Sequence, residues 1–371
     1  MVKLILVNRR LKIITLAITE QQKQAMIHQI LKLPRVGPVS FWKKLNEFKE
    51  IEATFKSFQN NFGIKSFESS MAEIQSNADL GIICIGFWQS NFPKQLKNLH
   101  DAPPLIWAKG SVDFMQHSQM AIVGGRNASF HGIKFAKDLS QQLSEYGFTI
   151  VSGLARGIDK AAHQGALERR TIAVLAGGVD RLYPKENAKL YEQMCQNHLV
   201  ISEMPPGVEP TADLFPRRNR IIAALSSGIC IIEAALKSGS LLTAKYGLDL
   251  GLPIFACPGH PYDPRTKGSN QLIKDGAFLL DNAAEVIEQI PINKTKPTLV
   301  NSIKPSTAIT LQASDSVTHE ILNFLNHTPV KVEDLLKYLD NYPTEQVLIA
   351  LSELELNQAI HRPSANLIVL G

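Results

Sequence analysis

The stretch FPRRNRIIAALSSGICIIEAALKSGSLLTA, residues 215–244, contains the two features that the central part of the chain repeats, a short buried strand and a polar turn. Residues 229–232 form an apolar run typical of a parallel strand buried on both faces. Before it, Arg217, Arg218 and Arg220 stand just ahead of an apolar helical pattern. The positive end of the helix dipole repels cations at a helix N-terminus. We therefore expect an anion to bind between these arginines and the end of the helix.

A second polar turn follows the same strand. Lys237, Ser238, Gly239 and Ser240 precede a new helical pattern, and they place hydroxyl groups where a helix presents free N–H groups. Each turn alone is also compatible with a solvated basic loop or an ordinary serine cap. Together, on both sides of one strand, they predict a site for a polyanion.

The composition is that of an ordinary globular protein of two to three domains, because 44% of its 371 residues are hydrophobic and 20% are charged. Its four cysteines are far apart and form no CxxC pair, so we expect free thiols in a reducing cytoplasm, without a zinc site or disulfides. The N-terminus superficially suggests an export signal, but Arg9, Arg10 and Lys12 interrupt its apolar runs. No apolar run is long enough to cross a bilayer, so we expect no membrane partner.

Charge is distributed unevenly along the chain. From residue 311 onward there are eight acidic and three basic residues, a net charge of −5. The whole chain carries +5, so the part before residue 311 carries +10. The two parts are therefore expected to prefer different partners.

Short apolar runs alternate with helical patterns in the middle of the chain. The predicted strands are 120–123, 149–151, 171–175, 199–201, 229–232 and 254–256, and the clearest helices between them are 135–146, 159–168 and 241–250. This alternation predicts an α/β fold, a Rossmann-like doubly wound parallel sheet with helices on both faces. Ligands bind such sheets at the carboxyl ends of the strands.

Glycines and cations follow several of these strands. Arg126 follows the first predicted strand, Arg156 the second, and Arg181 and Lys185 the third. Glycines let the backbone approach an oxyanion, and arginine binds it with two parallel hydrogen bonds. The loops contain neither GxGxxG nor GxxxxGK[ST], and their cations are spread over four loops. A mononucleotide pocket is possible, but a strip of phosphates fits this spread better.

The flanking regions predict smaller domains. Residues 20–33 and the sequence LPRVGPVSFWKKL resemble a helix-hairpin-helix or SAM-like unit, in which Pro38 removes one N–H. Residues 81–110 are expected to be irregular and extended chain that leads into the next domain. Residues 317–325, 332–339, 344–356 and 359–370 predict three helices and a hairpin, a winged helix. Its third helix carries glutamates and no cation, which favours a protein contact over DNA. The predicted domains are 1–80 (helical), 81–290 (Rossmann-like) and 314–371 (winged-helix-like), with a linker at 291–313.

An ordered set of motifs in the central half of the chain resembles the DprA/Smf family of DNA-processing proteins. The motifs are AIVGGRNASFHG, IVSGLARGIDKAAHQGAL, VLAGGVDRLYPKEN, ISEMPPG, FPRRNRIIAALS, IIEAALKSGSLLTA, FACPGH and GSNQLIKDGA. Two positions depart from the family pattern: Gly125 replaces a small hydroxyl residue, and His131 a common tyrosine. The first loses a possible hydrogen bond to phosphate but keeps Arg126.

The resemblance implies a homodimeric, non-enzymatic protein that binds single-stranded DNA. Such a protein protects incoming DNA during natural transformation, relieves inhibition by single-stranded DNA-binding protein and loads RecA. The implied DNA contacts, with Arg156 added from its position in a loop, are Arg126, Ser129, Arg156, Lys185, Arg217, Arg218, Asn219, Arg220, Lys237, Ser238, Gly239 and Ser240. Tyr183 and Phe215 lie beside cations, where they either stack on bases or pack in the core.

An enzyme is the alternative interpretation. Asp159 and His163 share a helix face, Glu233 ends a strand beside the glycine turn, and Cys257 is close to His260. A Rossmann-like nucleotide-binding enzyme, such as a nucleotide phosphoribohydrolase, is the nearest example, but the PGGxGTxxE signature of those enzymes is absent. We therefore expect Asp159 and His163 to form a structural hydrogen bond. We also expect no cofactor and no metal, since clustered acids are missing.

Overall fold

The computed structural model describes residues 2–7, 10–15, 18–290, 316–325, 329–356, 359–364 and 367–370. Contacts divide the chain into two compact units, Met1–Pro297 and Thr298–Gly371. The predicted linker at 291–313 lies outside the described residues.

The first unit begins with an antiparallel strand pair, β1 (Val2–Val7) and β2 (Arg10–Thr15), and four helices. The helices are α1 (Glu20–Leu31), α2 (Pro38–Phe48), α3 (Ile51–Phe62) and α4 (Glu68–Asp79). A capping box between Thr19 and Gln22 starts α1, and Gly63 ends α3 in the left-handed conformation. Phe41 and Phe55 belong to the same core cluster as Trp107 of the sheet. The helical N-terminal region is therefore confirmed, and it packs on the sheet.

Nine strands form one large sheet. They are β3 (Ile82–Gly86), β4 (Leu105–Gly110), β5 (Gln119–Gly124), β6 (Thr149–Ser152), β7 (Thr171–Val174), β8 (Leu199–Ser202), β9 (Ile229–Ile232), β10 (Ile254–Ala256) and β11 (Phe278–Leu279). The interleaved helices are α5 (Phe130–Glu145), α6 (Ile158–Gly165), α7 (Ala188–Asn197), α8 (Leu214–Leu225), α9 (Gly239–Asp249), α10 (Lys267–Lys274) and α11 (Ala283–Gln289). The strand order is β11-β10-β9-β5-β6-β7-β8-β4-β3.

From β5 to β10 all pairings are parallel, as the sequence predicts. β11, which the sequence pattern does not predict, adds one more parallel strand beside β10. Residues 81–110 contain extended chain, as expected, but two parts of the segment are regular strands, because β3 and β4 extend the sheet in antiparallel fashion beyond β8. Neighbouring strands bury their apolar residues there, and Trp107 is fully buried. A strand that pairs only with distant residues gives little local signal.

The order of the strands reverses between β5 and β9. β6, the next strand along the chain, lies on one side of β5, and β9 lies on the other side, where Gly124 is opposite Ile232. Alternate side chains point into two cores: Val123 and Ile231 into one, Ile122 and Cys230 into the other. Helices therefore cover both faces, and a crevice opens at the carboxyl ends of β5 and β9.

The second unit has its own core. Its elements are α12 (Ser316–Phe324), β12 (Val330–Lys331), α13 (Val332–Tyr338), α14 (Thr344–Leu356), β13 (Ile360–Ser364) and β14 (Leu367–Leu370). The strands form an antiparallel sheet in the order β12-β14-β13. Ile321, Leu335 and Leu351 from the three helices pack against Ile360 and Ile368 of the sheet. The three helices occupy the predicted segments.

Within the described parts of the chain, no helix combines the length and the apolar character needed to cross a membrane.

Candidate nucleic-acid interface

A cleft of about 1000 Å³ lies at the point where the strand order reverses. The loops after β5, β9 and β10 form its walls, together with the first turns of α8 and α9. This is the position that the sequence predicts for a ligand, at the carboxyl ends of parallel strands.

Two glycines allow the loops at this edge to pack closely. A Cβ atom on Gly124 would lie 1.8 Å from the carbonyl oxygen of Ile232 on the neighbouring strand. Gly157 has a φ of +73°, and a Cβ there would lie 2.4 Å from the carbonyl oxygen of Gly125. These positions therefore require glycine, and they bring the backbone of two loops together under the cleft.

Arg126, Phe215 and Tyr183 form a ridge at the mouth of the cleft, which we call the aromatic ridge. The Arg126 guanidinium lies 5.0 Å from the Phe215 ring centroid, and the Tyr183 ring meets Phe215 edge-on at 5.6 Å. Tyr183 is half-exposed and Phe215 is partly exposed, so neither ring is a core residue. A smaller pocket of about 340 Å³ lies on the other side of the ridge and is lined by Arg156 and Lys185.

Four of the predicted cations are exposed around these two pockets. Arg126, Lys185 and Lys237 are exposed, and Arg156 is half-exposed with Glu186 at 3.7 Å. All four line one or both of the two pockets. Arg181 is also exposed, but it pairs with Glu209 at 3.2 Å and lines neither pocket.

The sequence predicts that Arg217, Arg218 and Arg220 precede the helix. In the structure they lie inside it, because α8 begins at Leu214. Arg218 is buried. Its Nη1 donates hydrogen bonds of 2.6 Å to the carbonyl oxygens of Gly153 and Val174. It also faces the buried Asp159. Burial lowers the pKa of Arg218 to about 10, and the charge of Asp159 opposes that shift.

Arg220 is buried as well, within a group of charges under α8. Its guanidinium lies 2.7 Å from Glu203 and 3.1 Å from Asp101. Arg217 keeps a half-exposed side chain, 3.7 Å from Glu203. Burial raises the pKa of Glu203, and Arg220 and Arg217 oppose this shift. Of the three arginines only Arg217 reaches the surface, where it lines neither pocket, whereas the buried Arg218 contributes to the lining of the cleft. The local sequence does not distinguish the three.

Ser129 and Glu233 are hydrogen-bonded to each other. The Glu233 carboxylate accepts from the Ser129 backbone N–H at 2.7 Å and from its hydroxyl. The same hydroxyl accepts from the N–H of Gly132 at 2.9 Å and caps α5. An internal carboxylate therefore occupies the N-terminus of α5. No local sequence pattern signals this pairing, because it joins residues that are far apart in the chain.

The start of α9 is the second predicted helix terminus. The Ser238 hydroxyl accepts from the Ser240 N–H at 3.3 Å and lies 2.7 Å from the Ser240 hydroxyl. The Asn219 amide donates to the carbonyl oxygen of Gly239 at 3.1 Å and ties α8 to this turn. Ser238, Gly239 and Ser240 line the cleft with Lys237 and Asn219, so these five predicted residues do meet.

The predicted hydrogen bond between Asp159 and His163 is wrong. Asp159 accepts from the Gly153 N–H at 3.1 Å, and the His163 Nδ1 lies 2.7 Å from the Thr171 hydroxyl. Burial raises the pKa of Asp159, although the nearby Arg218 opposes the shift. Burial lowers the pKa of His163 to about 3. Both residues stabilise the fold, but through separate partners.

Arg265 is a cleft residue that the sequence analysis did not select. It lies in the loop after β10 and lines the cleft beside Lys237. The sequence pattern that could have identified Arg265 is an arginine in the loop after a predicted strand, the same pattern that identified Arg126. Among the residues that the structure describes, no group of three or more His, Cys, Asp or Glu side chains could hold a metal ion.

Comparisons with known proteins agree on one family. Residues 83–291 match the family described as DNA recombination-mediator protein A. The chain is 38% identical over 214 residues to the DNA processing protein DprA of Bacillus subtilis, which covers 57% of this chain and 72% of that protein.

Two solved structures are similar. The X-ray structure of DNA processing protein A (DprA) from Streptococcus pneumoniae superimposes with a TM-score of 0.63 and 32% identity, over 74% of this chain and 98% of that one. DNA processing protein A from Helicobacter pylori, described for its unique single-stranded DNA binding mode, gives a TM-score of 0.52 and 30% identity. That match covers 56% of this chain and 94% of the other.

Proposed function

The chain belongs to the family of DNA recombination-mediator protein A, whose relatives are named DprA or Smf, and on that premise we propose that it binds single-stranded DNA. The strand lies along the carboxyl edge of the large sheet and crosses both pockets. The similar protein from Helicobacter pylori, described for its single-stranded DNA binding mode, supports this choice of ligand.

The observation that carries the proposal is the aromatic ridge between two basic pockets. Lys237 lines the cleft on one side of it, Arg156 and Lys185 line the pocket on the other, and Arg126 of the ridge lines both. Cations spaced along a groove bind successive phosphates, and exposed rings between them stack on bases that a duplex keeps paired. A compact ligand would occupy one pocket only. The arrangement therefore favours a flexible single strand.

Binding of three ligands tests the proposal: an oligothymidylate, a duplex of equal length and free thymidine monophosphate. We expect the single strand to bind most tightly, with an affinity that falls steeply as salt increases. Fluorescence anisotropy at low and moderate salt measures this directly. Equal affinity for duplex, or an affinity that salt does not change, would contradict the proposal.

We propose further that the protein acts as a mediator rather than an enzyme. The acids considered for catalysis already have structural partners: Glu233 accepts from Ser129, and Asp159 lies against Arg218 and the Gly153 N–H. A nucleotide phosphoribohydrolase would release base from a nucleoside monophosphate. Detecting free base by chromatography, and losing it in Glu233→Gln or Asp159→Asn, would support the enzyme instead.

The remaining parts of the proposal concern partners and assembly. We infer a homodimer that protects incoming DNA in natural transformation, displaces single-stranded DNA-binding protein and loads RecA in the cytoplasm. The four free cysteines fit a reducing compartment. Strand-exchange assays with RecA on DNA coated by single-stranded DNA-binding protein test the mediator role, and light scattering tests the dimer.

We also propose that the second unit is a winged helix that contacts protein rather than DNA. Glu345 and Glu353 are exposed on α14, the helix that reads DNA in winged folds, and repel phosphate. The domains 1–80, 81–290 and 314–371, joined by a linker at 291–313, belong to the same proposal. A fragment 314–371 that bound DNA as tightly as the whole chain would contradict it.

A further inference from the structure

The loop between β10 and α10, residues 257–266, lies beside the cleft. Pro264 and Arg265 of this loop line the cleft together with Lys237 and Gly239. Because β10 is the neighbour of β9 in the sheet, the loop lies one strand further along the same carboxyl edge. The backbone N–H of Gly268 donates to the Ala234 carbonyl oxygen at 2.6 Å and fixes the start of α10 against the end of β9.

Side-chain hydrogen bonds hold the β10–α10 loop in one shape. Asn270 accepts from the Gly259 N–H at 3.0 Å and donates to its carbonyl oxygen at 2.8 Å. The Thr266 hydroxyl donates to the His260 carbonyl oxygen at 3.0 Å. A loop fixed in this way loses little conformational entropy when it binds a ligand.

Tyr262 lies at the tip of this fixed loop. Its side chain is 89% exposed, more than that of any other large hydrophobic residue among those described. The His260 ring lies beside it, with centroids 5.7 Å apart and an interplanar angle of 37°. A tyrosine ring presented to solvent on a rigid loop is suited to stacking on a nucleobase.

Arg265 is oriented by its neighbour in the loop. Its Nε and Nη2 donate to the Asp263 carboxylate at 2.7–3.1 Å. None of these bonds uses Nη1, so an ordered guanidinium retains N–H donors beside the cleft. A phosphate in the cleft is a suitable acceptor for them.

We propose that the β10–α10 loop is a further binding element for single-stranded DNA, in which Tyr262 stacks on a base and Arg265 binds the adjoining phosphate. This rests on the proposed function of the cleft. A strand that lies in the cleft against Lys237 meets this loop next, since Arg265 and Lys237 line the same cavity. The loop lengthens the bound stretch of DNA beyond the cleft.

The test measures binding of oligothymidylates of increasing length to the full chain. Tyr262→Ala is expected to weaken binding of long strands about tenfold and to leave the shortest strands that bind unaffected, because only long strands reach the loop. The salt dependence of DNA binding by the Tyr262→Ala variant remains that of the parent, since no charge is lost. Arg265→Ala reduces the slope of log affinity against log salt by about one. Tyr262→Phe retains parental affinity.

Two matched controls lie at the opposite edge of the same sheet. Tyr146 is exposed at the C-terminal end of α5, and Arg169 is exposed just before β7. Tyr146→Ala and Arg169→Ala remove the same side chains far from the carboxyl edge. We expect both to bind every oligonucleotide like the parent.

Two results would overturn the inference. One is a Tyr262→Ala variant that binds all lengths as tightly as the parent. The other is loss of affinity accompanied by a smaller mass in light scattering, which would assign Tyr262 to contact with a second copy of the chain. A parent that fails to bind single strands refutes the proposed function itself, so the two failures are distinguishable.

Discussion

At the scale of single residues, burial decides which cations are available to DNA. Arg217 and Arg218 are neighbours in the sequence, yet Arg217 is half-exposed, whereas Arg218 is a buried residue of the cleft lining that donates to two carbonyl oxygens. The helix turns its side chains by about 100° per residue, so adjacent positions face different surroundings. Equal chemistry therefore does not mean equal function.

We predict opposite outcomes for alanine at these two positions. Arg218→Ala leaves the buried Asp159 without its cation and should lower the free energy of unfolding by about 3–5 kcal/mol. Arg217→Ala should change stability by less than about 0.5 kcal/mol and weaken binding of single strands. Urea unfolding and anisotropy on the folded protein separate the two effects. A stable Arg218→Ala variant, or an Arg217→Ala variant that binds like the parent, would refute the assignment.

Buried histidines predict a dependence of stability on pH. Burial lowers the pKa of His28 to about 4 and that of His163 to about 3. In the unfolded chain both titrate near about 6.5, so the unfolded state binds more protons below that pH. The stability that the two neutral, buried rings contribute is therefore fully present above about pH 6.5 and is lost as the pH falls through their folded pKa values of about 4 and about 3.

Replacement of His28 tests this dependence. Neither of its ring nitrogens has a hydrogen-bond partner, and the ring packs edge-on against Trp107 at 5.3 Å; Glu73, at 3.9 Å, and Lys32 lie nearby. His28→Leu removes the titrating group and should reduce the loss of unfolding free energy between pH 7 and 4 by up to about 3 kcal/mol. Urea denaturation across this pH range measures it. The same pH profile in parent and variant would show that His28 does not contribute.

At the scale of elements, helix termini at the carboxyl edge differ in what they bind. The N-terminus of α5 is satisfied by Glu233, an internal anion, whereas that of α9 opens into the cleft with Ser238 and Ser240. Glu233 itself has a φ of +47°, in the left-handed region that residues other than glycine rarely adopt. The fold thus uses one helix terminus for its own stability and leaves the other for a ligand.

Removing the Glu233 carboxylate should therefore lower stability without weakening the binding of DNA. Glu233→Ala leaves the Ser129 N–H without an acceptor and should lower the free energy of unfolding by about 1–3 kcal/mol. Affinity for single strands should stay equal or increase, because a negative charge leaves the cleft. Ser129→Ala serves as the control for the lost cap. A marked loss of DNA affinity in folded Glu233→Ala would contradict this role.

At the scale of the whole molecule, the two units carry charges of opposite sign. The region from residue 311 onward has eight acidic and three basic residues, whereas the exposed cations of the cleft lie in the first unit. Each unit also has its own hydrophobic core. The first unit is therefore expected to fold without the second.

A chain ending at Pro297 tests this division. It should fold and bind single strands with an affinity equal to or higher than that of the parent, most clearly at low salt, where acidic charge is least screened. Circular dichroism establishes folding, and anisotropy over a salt series measures binding. A folded fragment that binds much more weakly would assign DNA contact to the second unit.

The sequence by itself determined the central architecture of this protein. Apolar runs such as 229–232 and the helical patterns between them predict the parallel strands and their covering helices, because burial on both faces imposes a local pattern. Because parallel strands end at the same edge of a sheet, the sequence also predicts that Lys237–Ser240 and Arg126 lie close together at the carboxyl edge. The ordered motifs then specified the family.

Tertiary structure alone decided which polar groups remain free. Arg218 donates to the carbonyl oxygens of Gly153 and Val174, Arg220 is ion-paired with Glu203, and Ser129 donates to Glu233. No local pattern records such partners, because burial and ion pairing depend on contacts across the fold. The strands at 82–86 and 105–110 escaped prediction for the same reason. Local sequence specifies which elements form, and their packing specifies which charges reach the ligand.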